Sequence, residues 1–383
     1  MIFLIKISIF CANIIYFFIK LFPTRNKVTM ISRQSNDINI DFELLKKSFQ
    51  KKDSSIRIVV LSKTLPDGYN ANLSDKVKYI FHMIKQMYHI ATSRVVILDS
   101  YCIVISILKH KKKLTIIQMW HAMGAFKKFG YSIIGKSEGT SKKIIDLMRM
   151  HKNYDFVFVS SSNCINHYME AFDVAESKIK VFPLPKVDLL TNNQWIQTKS
   201  IEIVQKYPEL EKKKNILYVP TFRKNKDIDI TQLIKSINYK EYNLIVKVHP
   251  LSNLQIQNKN VYTINDFSSL ELLTVSDYVV TDYSAITFEA ALMNKPLYFY
   301  VPDFEEYYND RDFYFTYKEE VPGNVYISAN ELMENIKIEN YSLKKIKQFK
   351  TKYIKYEKGN NTEKIVNFII EIINEKECEP IEE

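Results

Sequence analysis

At 383 residues the chain exceeds one average domain and fits two of about 150–200 residues each. Hydrophobic residues make up 46%, enough for sizeable cores, while glycine is scarce at seven residues and no GxGxxG run occurs, which argues against a glycine-rich dinucleotide loop. A net charge of +11 favours an anionic partner, and the lack of helix-turn-helix, zinc-finger or RNP patterns sets nucleic acid aside, leaving a membrane surface or a phosphorylated substrate.

Residues 1–22 (MIFLIKISIFCANIIYFFIKLF) form an apolar stretch long enough to span a bilayer. Lys6, Asn13 and Lys20 recur every seven residues and so share one helical face, which favours a helix lying in the membrane interface with its lysines snorkelling. A span and a buried core helix stay open as alternatives. Pro23 ends the stretch, and a basic collar runs to Lys27.

From Val28 the pattern alternates. Strands are expected at 28–32, 56–62, 94–99, 114–119, 155–160 and 179–184, with helices at 42–50, 75–88 and 162–172. That rhythm defines βαβ units and a parallel sheet. The basic run 142–152 has helix-forming composition and reads either as a solvated face or as a lipid-facing patch. Residues 191–214 are polar and read as a linker. A second α/β segment follows, with strands at 215–219, 242–248, 260–264, 278–280 and 297–301, and helices at 266–274, from Ser284, and over 343–374. Residues 375–383 form an acidic tail. The expected domains are therefore a membrane-associating helix (1–27), an N-terminal Rossmann-like domain (28–190), the linker and a C-terminal Rossmann-like domain (215–374). Both domains are doubly wound, with a cleft between them.

Cys11, Cys102, Cys164 and Cys378 lie far apart without a CxxC and read as reduced thiols of a cytosolic protein. No metal-ligand spacing and no GxSxG elbow occurs, so a reaction without metal or cofactor is expected.

The chemistry-bearing residues collect at strand ends. His121, in IIQMWHAMGAFKKFG, directly follows a strand, where an imidazole can act as general base near neutral pH or serve as a structural histidine. His249, in LIVKVHP, also follows a strand, and Lys247 lies two residues back on the same side, so the pair can hold a diphosphate, or His249 can be a structural strand-end histidine. Thr221 and Arg223 end a neighbouring strand, and Thr281, Asp282 and Ser284 end another, so that with Lys247 and His249 the set brings together the several convergent donors that an anion needs. The helix from Ser284 offers free N–H groups to a phosphate, although Ser and Asp also serve there as ordinary N-caps.

With those residues in hand, the chain resembles the CDP-glycerol glycerophosphotransferase family of wall teichoic acid synthesis. The resemblance rests on WHAMGAFKKFG (120–130), YVPTFR (218–223), KVHP (247–250), SDYVVTDYSAITFE (276–289) and YFYVPDFEEYYNDRDFYFTYKEEVPG (298–323). Length and the form of the first motif look most like the primase branch, which adds the first glycerol phosphate to a lipid-linked disaccharide; the polymerases of the family are longer. The resemblance implies a GT-B fold, peripheral (monotopic) attachment at the cytoplasmic membrane face, CDP-glycerol as donor and an undecaprenyl-diphosphate-linked disaccharide as acceptor. It makes His121 the base and His249 the binder of the donor diphosphate. Trp120, Ala122, Met123 and Gly124 surround the base. Thr221, Phe222, Lys247, Val248, Ser284 and Ala285 line the donor site, and Glu289 stands where the family has a carboxylate for the nucleotide. Departures from the family pattern include His121-Ala122-Met123 for His-Gly-Thr, Lys186 for the Arg of a Pro-Arg-Asn-Asp segment, Ala285 for a second Ser, and Arg311-Asp312 for Arg-Gly. These bear on the polyol and the acceptor rather than on the reaction type. CDP-ribitol, a capsule or chain-extending acceptor, and a sugar-nucleotide glycosyltransferase of the same architecture are the alternatives, with a non-catalytic membrane scaffold of the same fold, against which the presence of both His121 and His249 argues.

Overall fold

The computed structural model describes residues 2–65, 71–137, 139–223, 228–248, 252, 254–310 and 312–378. The chain forms two compact units. One comprises Met1–Ala122, Phe129–Lys186 and Asn360–Glu383; the other comprises Met123–Lys128 and Val187–Gly359.

In the first unit, β1 (Lys27–Ser32), β2 (Arg57–Ser62), β3 (Val95–Leu98), β4 (Thr115–Gln118), β5 (Phe156–Val159) and β6 (Ile179–Val181) make a parallel sheet in the order β2-β1-β3-β4-β5-β6. β3 and β4 are buried at every residue, as strands covered on both faces must be. Helix α1 (Ile2–Ile19) precedes the sheet, α2 (Ile40–Lys52) follows β1, and α3 (Leu73–Ala91) follows β2. Asn39 caps α2 by accepting from the Phe42 N–H, and Asn72 caps α3 by accepting from that of Asp75.

The second unit repeats the plan with β7 (Lys214–Val219), β8 (Tyr242–Val246), β9 (Val261–Tyr262), β10 (Tyr278–Thr281), β11 (Leu297–Tyr300) and β12 (Asn324–Tyr326), ordered β12-β11-β10-β7-β8-β9 and parallel throughout. Ile216, Tyr218, Leu244, Val280 and Tyr298 of this sheet pack with Leu332 and Ile336 of the helix Ala329–Lys337.

The strand order reverses once in each sheet, between β1 and β3 and between β7 and β10. At such a point the connections leave in opposite directions, and a crevice opens beyond the carboxyl ends of the two strands.

Four stretches differ from their sequence expectation. Residues 191–214 hold the helix Asn193–Lys206, capped by Asn192; Ile203 is its one buried residue, so its polar surface reads as a linker. The basic run 142–152 is helical only over Lys142–Met148, because Arg149 turns left-handed at φ 47°. The helix expected from Ser284 starts two residues later, as Ile286–Leu292, and is buried at every residue, with Met293 as its C-cap. The C-terminal helices do not all belong to the second unit: Asn361–Cys378 returns to the first, where Phe368 packs on the rings of Phe156, Phe158 and Phe182. Arg94 Nη1 donates to the Ile373 carbonyl at 3.2 Å.

Ile365, Val366, Ile369, Ile372 and Ile373 of that helix are buried. At about 1.5–3 kcal/mol each, their burial rivals the whole stability of a domain, about 5–15 kcal/mol. Ending the chain at Gly359 is therefore expected to abolish hydrogen-exchange protection of the β3 and β4 amides while those of β7 and β10 stay protected.

Candidate active site

The first candidate group gathers at the β1/β3 reversal. Asp99 directly follows β3, is 2% exposed, and accepts from Asn39 Nδ2 at 2.7 Å and Ser100 Oγ at 2.8 Å. Burial pushes its carboxyl up from 3.8 to about 6, against the opposing hydrogen bonds from Ser32 and Ser100. His121 is exposed and places Nδ1 2.9 Å from the Asp99 carbonyl and 3.4 Å from Gln34 Nε2. A carbonyl can only accept, so the shorter contact puts the hydrogen on Nδ1 and the lone pair on Nε2; the Gln34 amide nitrogen, itself a donor, is a neighbour of that Nδ1–H and not its partner. This is the tautomer a general base requires.

The backbone around His121 is held under strain. Trp120 sits at φ 61°, a region that costs a bulky residue about 1–3 kcal/mol and clusters at functional sites. Its N–H donates to Gln118 Oε1 at 3.0 Å, and Gln118 Nε2 is fixed by the Ser100 carbonyl and Tyr154 Oη. The indole stacks on Phe129 at 5.0 Å and lies 4.5 Å from the imidazole. Lys186 is buried rather than set to meet a ligand. Its Nζ donates to the His121 carbonyl at 3.2 Å and lies 3.7 Å from Asp41, whose carboxylate also accepts the Lys186 N–H at 2.7 Å. Burial raises the Asp41 carboxyl and Lys186 pulls it down. Lys186 thus fixes the backbone beneath the imidazole.

The WHAMG run does not stay in one body. Trp120, His121 and Ala122 belong to the first unit, where the Ala122 carbonyl accepts from Tyr168 Oη; Met123 and Gly124 belong to the second. There a Cβ on Gly124 would stand 2.4 Å from the Phe288 ring, so only glycine allows the approach. Phe126 lies 4.7 Å from the same ring, and Met123 is fully buried.

The second group lies at the β7/β10 reversal. Asp282 is wholly buried and accepts the Thr221 N–H at 2.8 Å. Arg223 Nη1 reaches Asp282 at 3.0 Å and the Thr221 carbonyl at 2.7 Å, while Nε and Nη2 grip Asp303 at 2.6 and 3.1 Å. Its guanidinium also faces the stacked pair Tyr283 and Tyr307. Arg223, expected to meet an anion, is therefore a strut between two carboxylates. Thr281 is likewise internal, its Oγ1 donating to the Val219 carbonyl at 2.8 Å. Thr221, Phe222 and Ser284 remain half-buried beyond these strand ends, Ala285 begins the seven-residue helix Ile286–Leu292, and Glu289 is buried within it. The Lys247 side chain bonds to the Ile264 carbonyl at 2.9 Å, and Val248 packs against the core beside it. His249 and Arg311 lie outside the described residues.

Sequence reasoning passed over Asp303, Gln118 and Asp41. Asp303 follows the β11 run as VPD and was the one legible signal; the others are polar residues inside apolar or helical stretches.

These observations meet the comparisons with known proteins. Residues 14–371 match the family described as CDP-Glycerol:Poly(glycerophosphate) glycerophosphotransferase. The chain is 33% identical over 357 residues to the teichoic acid ribitol-phosphate primase of Bacillus spizizenii, covering 90% of each. It is 31% identical to the teichoic acid glycerol-phosphate primase of Bacillus subtilis over 76% of this chain and 77% of that one. Among solved structures, the wall teichoic acid polymerase TagF superposes with a TM-score of 0.77 at 19% identity, over 98% of this chain and 96% of that one. The fold is GT-B. The chain belongs to the CDP-glycerol:poly(glycerophosphate) glycerophosphotransferase family, the phosphotransferases of wall teichoic acid synthesis.

Two outcomes test the geometry. Removing the Arg223 guanidinium leaves the buried Asp282 and the half-buried Asp303 as uncompensated charges, so Arg223→Ala is expected to lower stability by about 3–5 kcal/mol in urea unfolding. Asp99 binds its proton more tightly folded than unfolded, so its stabilising contribution is present at low pH and is lost as pH rises from about 4 to about 6. Asp99→Asn should remove that slope from a plot of melting temperature against pH.

Proposed function

We propose that the chain transfers glycerol phosphate from CDP-glycerol to a lipid-linked disaccharide at the cytoplasmic face of the membrane, releasing CMP, as a priming step of teichoic acid synthesis. His121 Nε2 takes the proton from the acceptor hydroxyl. The freed oxygen attacks the phosphorus bearing the polyol, the bond to the bridging oxygen breaks, and CMP leaves with the electron pair. His249, Lys247 and the strand-end residues Thr221 and Ser284 neutralise the diphosphate. Phe222, Val248, Ala285 and Glu289 line the rest of the donor site. Trp120, Ala122, Met123 and Gly124 shape the loop about the base, and Lys186, Arg223, Thr281 and Asp282 hold the frame. On this reading residues 28–190 serve the acceptor and 215–374 the donor.

The observation that carries the proposal is the His121 imidazole. It sits at a strand-order reversal, its Nδ1–H committed to the Asp99 carbonyl, in a chain whose family match spans residues 14–371. CDP-ribitol is the second reading, favoured by the 33% identity to a ribitol-phosphate primase across 90% of both chains. Incubating the protein with each donor and a short-chain lipid disaccharide, then weighing the products, separates the two polyols and distinguishes one added unit from many. His121→Ala is expected to reduce CMP release by about a hundredfold or more without loss of fold. Near-normal turnover by that variant refutes the assignment of the base.

A further inference from the structure

The carboxyl ends of β1 and β2 carry cations that no carboxylate answers. Arg33 follows β1 and Lys63 follows β2. The Lys63 N–H donates to the Ser32 carbonyl at 3.1 Å, so the two residues stand side by side at the sheet edge that also bears His121. Both are half-buried, and among the described residues neither has a carboxylate within ion-pair distance. Arg33 Nη1 donates to the Tyr101 carbonyl at 3.1 Å, while Nε is buried without a hydrogen-bond partner. Tyr79, buried on α3, lies beside the guanidinium: burial raises its hydroxyl and Arg33 pulls it back down. Asp99 accepts from Asn39 and Ser100 instead of from this guanidinium. Arg33 and Lys63 thus differ from Arg223 and Lys186, whose charges are met by buried aspartates.

α3 adds a neutral donor to the pair. Gln86 Oε1 takes the Cys102 Sγ contact at 3.9 Å, so Gln86 Nε2 donates to His82 Nε2 at 3.1 Å and leaves the hydrogen of that ring on Nδ1. Among the described residues this Nδ1–H has no hydrogen-bond partner. Burial holds the His82 imidazole below its usual range, and the ammonium groups of Lys63 and Lys85 push it the same way. Two cations held half out of water without a counter-charge are costly, and an anion seated between them relieves that cost.

We propose that Arg33, Lys63 and His82 form the subsite that holds the diphosphate of the acceptor lipid. This assignment rests on the reading of a lipid-linked disaccharide acceptor given above. A guanidinium fork grips one phosphate in the plane of two oxygens, and an ammonium serves the next as a point charge. The spacing of the sheet agrees with it. In the order β2-β1-β3-β4, the ends of β1 and β2 stand two and three strands from the end of β4, about 10 and 14 Å at about 4.8 Å per strand. That separation is of the order of two sugar rings. A diphosphate at Arg33 and Lys63 therefore lets the far sugar present its hydroxyl to His121 Nε2. The exposed amide of Gln34, next to Arg33 and 3.4 Å from His121 Nδ1, is placed to meet the sugars on the way.

Initial rates with a short-chain prenyl-diphosphate disaccharide, and with the alkyl glycoside of the same disaccharide, test the subsite. Arg33→Gln is expected to raise the KM for the diphosphate acceptor about tenfold or more and to leave the KM for the CDP-polyol unchanged. Lys63→Gln, whose side chain has no hydrogen bond within the protein to lose, should act in the same direction and keeps the question decidable if Arg33→Gln melts early. Both variants should narrow the wild type's preference for the diphosphate acceptor over the uncharged glycoside, which a merely structural role would not do. An unchanged acceptor KM in both variants overturns the proposal. So does a rise confined to the KM for the CDP-polyol, because the cations would then serve the donor. Calorimetry with the same prenyl-diphosphate disaccharide separates the subsite from the reaction. If the wild type binds it, both variants bind it about tenfold or more weakly, and no CMP is released from either CDP-polyol, the subsite stands and the enzymatic reading falls.

Discussion

A carboxylate without water organises each half of this molecule. In both sheets an aspartate comes one residue after the strand that borders the order reversal: Asp99 after β3 and Asp282 after β10. Neither has solvent to satisfy it, so each recruits donors from the neighbouring strand ends and loops. Asp282 draws in the Thr221 N–H and the Arg223 guanidinium, and Arg223 then brings Asp303 and two stacked tyrosines. Asp99 draws in Asn39 and Ser100, and its own carbonyl sets the tautomer of His121. These buried charges fix the strand ends on which any ligand would rest.

That division of labour explains why several charged residues at the right edge of the sheet turn inward. Arg223 and Lys186 stand at strand ends in the sequence, where a basic side chain reads as an anion ligand. Each is instead the counter-charge of a buried aspartate, and each touches a backbone carbonyl next to a candidate contact residue: that of Thr221 for Arg223 and that of His121 for Lys186. A pre-set frame of this kind lowers the reorganisation needed when charge develops in a reaction.

Much of the fold was legible because parallel strands are buried on both faces and stand out as short runs such as IRIVVLS, RVVILD and YNLIVKV. The strand-end position of His121 followed from the same signal. Other features left no such trace. The helix Asn193–Lys206 buries only Ile203, so its composition is that of a solvated connector. The buried pairings of Arg223 with Asp303 and of Lys186 with Asp41 join residues 80 and 145 positions apart, and local pattern carries no information at that separation. The return of the helix Asn361–Cys378 to the first unit is likewise a matter of which surface its aromatic and aliphatic face fits, which periodicity alone does not name.

That returning helix also orders events on the ribosome. Residues 187–359, nearly all of the second unit, are synthesised before the final helix that covers the first sheet beside Phe156 and Phe158. Domains tend to fold as their chain emerges, at about 5–20 residues per second. The later lobe can therefore close while the earlier one still waits with part of its interior open, an interval in which a chaperone has a defined apolar surface to hold.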